Sequence, residues 1–462
     1  MSHAGGQGHI FLIRIRRGGF ASFRAAIGSA APARNLEVHL SAEAQISACP
    51  YAASAVMAAS APSHVPAELV RDPALFDQPN MLLDPFSVSE RAWEDLPPVF
   101  YWPKVRPGIS EGFWVVTHYE DIREVYQNSE LYSNKGAVDF PGLVGETFRM
   151  IPLAIDPPEH GKYRIMLNPW FSPKAVTAIE PAIRSTINDL IDGFVDKGDC
   201  DVAYDFGRLY PVRVFLTLMG LSLDKIDEFL SWEYAILHSE HDVERMKWGV
   251  SGALAYLRQF IDEIRDNPRE GLASKIVHGT ADGRPLNDDE IIGTIFFLWV
   301  GGLDTVAATT ALMFRRLALE PALQQSLRNN PALIPEAIEE FLRVQPLVNS
   351  SRLVKKDHEI RGVRIRAGER VMCLNLAGNF DPAEFECPRS IRFDRPSNRH
   401  FTLAGGPHRC LGSHLARREL GIALGEFLRR VPPFQLRDGG QGPVVPGLIA
   451  IGRVPIRWDA QG

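Results

Sequence analysis

Leu403-Ala404-Gly405-Gly406-Pro407-His408-Arg409-Cys410-Leu411-Gly412 places one cysteine on a Gly-rich loop just ahead of a helical run. Cysteine binds a metal only as thiolate, and a helix N-terminus, nearby cations and the metal itself all lower its pKa. His408 and Arg409 supply positive charge beside Cys410. Gly405, Gly406 and Gly412 let backbone come close to a flat ligand, and loop N–H groups near the sulfur would soften its donor strength. The stretch therefore suits thiolate ligation of a haem iron. Taken by itself it also suits a free cysteine buried as a small hydrophobe in a turn.

Three distant segments bear on that choice. Glu340-Phe341-Leu342-Arg343 puts an acid and an arginine on one helical face, where they can form a charge-assisted pair. Gly301-Gly302-Leu303-Asp304-Thr305 lies inside the apolar run from Ile291 to Phe314. That run is long enough to cross a membrane, yet Asn287 can cap it, Asp288, Asp289 and Glu290 suit its first turn, and Glu320-Pro321 can end it. The expectation is one long buried helix of a large protein, with an acid beside a threonine that is costly to bury unless paired or functional. Asp156-Pro157-Pro158-Glu159-His160 opens a helix that sets His160 and Arg164 on one face.

Together these segments resemble the cytochrome P450 superfamily, over about residues 65 to 460. The resemblance implies a mainly α fold with small β-sheets, the haem lying between a long central oxygen-side helix and the helix after the cysteine loop. It makes Cys410 the axial ligand of haem b, and assigns the haem carboxylates to His160, Arg164, Arg352 and His408. It sets Gly301 and Gly302 where dioxygen sits, Asp304 and Thr305 as the acid-alcohol pair that supplies protons, and Glu340, Arg343 and Arg392 as a structural cluster. The implied activity is a haem-thiolate monooxygenase using dioxygen. Its electrons would come from NAD(P)H through a flavoprotein reductase and a 2Fe–2S ferredoxin, with Arg164, Arg409 and Arg399 as candidates for a basic docking face. A peroxide-driven peroxygenase would not need Asp304 and Thr305, and a non-enzymatic haem carrier is the alternative from another class.

Within the superfamily the closest resemblance is to the bacterial camphor hydroxylase group, through the segments 301–306, 151–159 and 410–419. Phe148 falls where that group uses a tyrosine hydroxyl, and a phenyl ring donates no hydrogen bond. With Met150, Phe297, Val300, Val348 and Leu448, and further Phe140 and Ile449, it forms an expected apolar pocket for a monoterpenoid or norisoprenoid. A steroid, fatty acid or aromatic acid is the alternative substrate class. Leu403 and Ala404 stand where a Phe and a Gly are usual, so altered haem potential or stability is expected. Asn379-Phe380-Asp381 departs from the usual Asn-Arg-Asp, with an effect expected on a surface contact only.

The 462 residues are 45% hydrophobic and 23% charged, enough for a large core. A net charge of −6 argues against a general nucleic-acid binder. Cys49, Cys200, Cys373 and Cys387 are scattered and, with Cys410, odd in number, which fits a reducing cytoplasm and no disulfide framework. Residues 1–62 are rich in Ala and Ser and carry Arg14, Arg16, Arg17, Arg24 and Arg34 before the first acid, Glu37. They are expected to be a disordered extension or the result of a start before Met57, preceding a single domain at 63–462. The protein is expected to be a monomer that neither spans nor needs a membrane.

Locally, Trp114–Val116 reads as a strand and Thr117-His118-Tyr119-Glu120 as a capping box. Residues 173–265 hold amphipathic helices broken near Gly198, Gly220 and Pro268. Residues 359–376 alternate like hairpin strands, and 411–430 form a helix ended by Pro432.

Overall fold

The computed structural model describes residues 61–72, 91–103, 112–136, 138–239, 242–437, 444–445 and 450–459. The expected N-terminal extension up to residue 60, Cys49, Leu448 and Ile449 lie outside them.

Helices dominate, and their limits follow local chemistry. Pro173–Asp192 begins where the Ser172 hydroxyl accepts from the Ala175 N–H, and Leu209–Met219 stops at Gly220, whose φ of 78° is left-handed. Ile226–Leu237 and Val243–Asp266 pack against each other as an antiparallel pair and lie over the central helix. Five of the small strands form one sheet built on Phe113–Val116, which pairs antiparallel with Val99–Trp102 and parallel with Arg370–Cys373, and the rest form smaller sheets. The turn Arg361-Gly362 has positive φ at both residues, as a tight hairpin between His358–Ile360 and Val363–Ile365 requires. The mainly α fold with small sheets is therefore as expected.

Two local expectations are corrected. The apolar run is not one helix: Asp288–Leu303 and Thr305–Leu319 meet at Asp304. The front end is as read, because Asn287 and Glu290 form a complete capping box. The pair is long and apolar enough to span a bilayer, but 72% of its most apolar window is buried inside the fold, so core packing accounts for its composition. At Tyr119–Gln127 no capping box forms; the Tyr119 N–H donates instead to Asp381 Oδ2 at 2.9 Å. Asp381 and Asn379 are 3% and 0% exposed, so the 379–381 segment is interior scaffolding and not a surface contact.

Candidate active site

Cys410 sits where the loop after Phe401 turns into helix Ser413–Arg430. The Cys410 N–H closes the loop on the Leu403 carbonyl at 2.9 Å, and the Gly412 N–H points to the sulfur. Gly406 is required here: its φ is +63° and a Cβ would stand 2.1 Å from the Tyr126 carbonyl oxygen. Ala404 also sits at positive φ, +55°, so the alanine noted in the sequence carries backbone strain. Burial raises the Cys410 thiol pKa, while the Gly412 N–H, Arg164, Arg417 and Arg409 pull it down.

One cavity joins this loop to the central helices. Cys410, His160, Arg164 and His408 line it together with Gly301, Gly302 and Thr305. The His160 and His408 rings lie 4.1 Å apart, and His160 Nε2 is buried without a hydrogen-bond partner. Desolvation and neighbouring positive groups hold His160 to about 4 and His408 to about 3. Cation-capable groups crowd one wall with an unpartnered ring nitrogen, and a thiol lines the same space. That donor set fits a haem, whose iron takes a thiolate and whose carboxylates take cations. Arg352 stands behind this wall, donating to the Ser351 carbonyl at 2.8 Å with its guanidinium over the Tyr126 ring.

The helix break shapes another part of the lining. Gly301 faces open space, whereas a Cβ on Gly302 would meet the Phe215 ring at 2.5 Å. The Thr305 hydroxyl donates to the Gly301 carbonyl at 3.3 Å. Asp304 turns away from the cavity toward helix Ile226–Leu237, where its Oδ2 lies 3.0 Å from His238 Nε2. Glu233, on that helix, is 4% exposed with Oε1 unpartnered; burial and the Asp304 charge raise its pKa well above the ordinary value. Sequence reading missed Glu233 and His238, which carry no motif and meet Asp304 only through packing.

The expected apolar pocket is corrected in part. Phe297 and Val348 line the cavity, along with Phe215, Leu298, Val306 and Leu347. Phe148, Met150 and Val300 instead belong to the main hydrophobic core. The chain at 148–151 crosses the central helix where Gly293 has no side chain, and the Ile151 N–H donates to the Gly293 carbonyl. That crossing turns the Phe148 ring edge-on to Phe296 at 6.3 Å, and Phe148 is not among the residues lining the cavity. Phe140 packs against the same core.

Behind the cysteine loop, Glu340 and Arg343 form a bidentate pair with N–O distances of 2.7 and 3.0 Å, Glu340 and Arg343 both 0% exposed. The third member of the cluster is Arg395, whose guanidinium donates to Glu340 Oε1 at 2.8 Å. Arg392 supplies only its backbone N–H, at 2.9 Å, while its side chain reaches Asp394 and Glu386 at the surface. Of the three arginines considered for docking, Arg399 is already paired with Glu384 through two hydrogen bonds, and Arg164 donates to the Arg409 carbonyl.

The sequence model of the family described as Cytochrome P450 matches residues 233–436. A protein named probable cytochrome P450 127A1, from Sinorhizobium fredii, is 36% identical over 86% of this chain and 96% of its own length. A steroid C26-monooxygenase of Mycobacterium tuberculosis is 30% identical over 70% of this chain and 88% of its own. The crystal structure of cytochrome P450 CYP101C1 superposes with a TM-score of 0.76 at 32% identity, covering 87% of this chain and all of that one.

Proposed function

Because this chain belongs to the cytochrome P450 superfamily, and its relatives are named monooxygenases and hydroxylases, we propose that it hydroxylates a small apolar molecule, a monoterpenoid or norisoprenoid, at a haem held by Cys410. The observation that carries this reading is that one cavity is lined by Cys410, Gly301 and Thr305 together with His160, Arg164 and His408.

When bound, the haem supplies dioxygen activation, and the thiolate favours O–O cleavage. The chain's own residues do the rest. His160, Arg164 and His408 answer the two carboxylates, with Arg352 reinforcing their charge from behind. Gly301 leaves room beside the reacting centre, and the Thr305 hydroxyl stands on the cavity side of the helix break. Asp304 holds the proton supply from the other side of that break. Phe215, Phe297, Leu298, Val306, Leu347 and Val348 exclude water and hold an apolar substrate without a polar anchor. Such a wall discriminates modestly among hydrocarbons of similar size. The acid-alcohol pair favours the oxygenase over a peroxygenase.

Electrons come from NAD(P)H through a flavoprotein reductase and a 2Fe–2S ferredoxin that docks near the exposed Arg409, and the protein works as a cytoplasmic monomer. A steroid is the second reading, favoured by the steroid C26-monooxygenase relative.

The test is the optical spectrum of the purified protein. A thiolate-type spectrum of the reduced carbon monoxide complex is expected, lost in Cys410→Ala. Titration of the ferric form with cineole, camphor, ionone, testosterone and benzoate should give a high-spin shift with the terpenoids. A shift with testosterone alone moves the assignment to steroids, and a protein without thiolate spectra overturns it.

A further inference from the structure

Glu233, His238 and Asp304 each offer one ligand atom, and the three atoms lie within 4.8 Å of one another. We propose that they form a zinc-type divalent cation site on the outer side of the central helix break. Two of the donors are already at coordination spacing. His238 Nε2 and Asp304 Oδ2 are 3.0 Å apart, and two ligands of one zinc at its usual bond lengths stand about 3.3 Å apart. The third donor is aimed inward without a partner: Glu233 is 96% buried by area and its Oε1 accepts no hydrogen bond.

Two carboxyls and an imidazole converge, and the guanidinium whose field reaches Glu233, Arg208, has its Cζ 4.2 Å from the centre of the Tyr204 ring. The His238 ring lies 5.1 Å from that of Tyr234, tilted by 37°. An imidazole with two carboxylates suits zinc better than calcium or magnesium, which prefer oxygen alone. Three protein ligands leave a fourth position for water. Asp304 keeps 15% of its side chain exposed, so an ion has an approach from solvent.

A cation here takes the Asp304 carboxylate out of proton supply. Zinc therefore inhibits dioxygen-dependent turnover, a consequence that rests on the role given to Asp304 above; the binding itself does not. Calorimetric titration of the haem-loaded, full-length protein with zinc chloride reads the site directly. One site is expected, weakened more than tenfold in both Glu233→Gln and His238→Phe. No binding, or binding that both variants leave unchanged and that marks an adventitious ion only, overturns the proposal. If the variants fail to fold, zinc-edge X-ray absorption on the unaltered protein decides. One imidazole among oxygen neighbours at about 2.0–2.2 Å supports the site, and sulfur in the coordination shell overturns it. The carbon monoxide spectrum of the same sample tests Cys410 separately, so failure of the zinc site and failure of the haem assignment are told apart.

Discussion

Two buried acids, Glu340 and Glu233, face opposite fates. Glu340 accepts from the side chains of Arg343, Arg395 and Asn398 and from the Arg392 N–H, so both of its oxygens are answered. Arg343 in turn donates to the carbonyls of Asn379, Pro388 and Ser390. Glu233 has an oxygen with no partner and a second acid beside it. A satisfied buried charge fixes the chain around it, here the segment leading to the cysteine loop. An unsatisfied one costs folding energy, and proteins keep such costs mainly where chemistry uses them.

The sharpest way to break this contrast is Glu340→Ala. It leaves two guanidiniums facing a dry interior, and unfolding by urea should show a loss of about 3–5 kcal/mol. A loss below about 1 kcal/mol would make the cluster decorative.

The arginines sharpen it further. Arg395→Ala removes a buried charge-assisted bond and should cost about 1.5–3 kcal/mol, whereas Arg392→Ala, whose side chain is at the surface, should leave stability nearly unchanged. The reverse order would restore Arg392 as the third member.

Acidity separates the two regions by sign. Glu339, next to Glu340, is pushed up by burial, but hydrogen bonds from Arg417 and His400 outweigh that and hold it to about 2, against an ordinary 4.5. Its folded pKa is depressed, so its contribution is full above the ordinary value and is lost as pH falls from 4.5 toward 2. Glu233 is raised by burial, so its folded form favours the proton. Its contribution is present below the ordinary value and is lost as pH rises through the folded value. Stability measured against pH should therefore lose its acid-side slope partly in Glu339→Gln, and lose a fall toward higher pH in Glu233→Gln. Matching profiles for the two variants would erase the distinction.

The smallest effect concerns the cysteine loop. Ala404→Gly relieves a positive φ and should raise stability by about 1 kcal/mol, offset in part by glycine's unfolded-state entropy. A lower melting temperature would show that the Cβ has a packing role.

Much of the site was legible because its chemistry is local in sequence. The 403–412 loop, the Gly301–Thr305 segment and Glu340 with Arg343 each carry their residues within one turn or loop, where spacing alone brings side chains together. Asn287 with Glu290 was readable for the same reason. The choice between Arg392 and Arg395 was not, because a loop that approaches a helix from elsewhere selects its donor by path and not by spacing. Phe148 failed likewise: counting from Pro157 fixed its place in the chain, and the crossing at Gly293 fixed where its ring points.

The sequence by itself determined a mainly α chain with a cysteine on a Gly-rich loop ahead of a helix, and a central apolar helix run that sets Asp304 beside Thr305. These rest on helical and loop geometry, which repeats every few residues. Only the tertiary structure decided that the run breaks at Asp304, that Asp381 caps a distant helix, and that Glu233 and His238 reach Asp304 from 71 and 66 positions upstream. No spacing rule spans such separations; close packing of helices makes the encounter, and burial then gives it its energy.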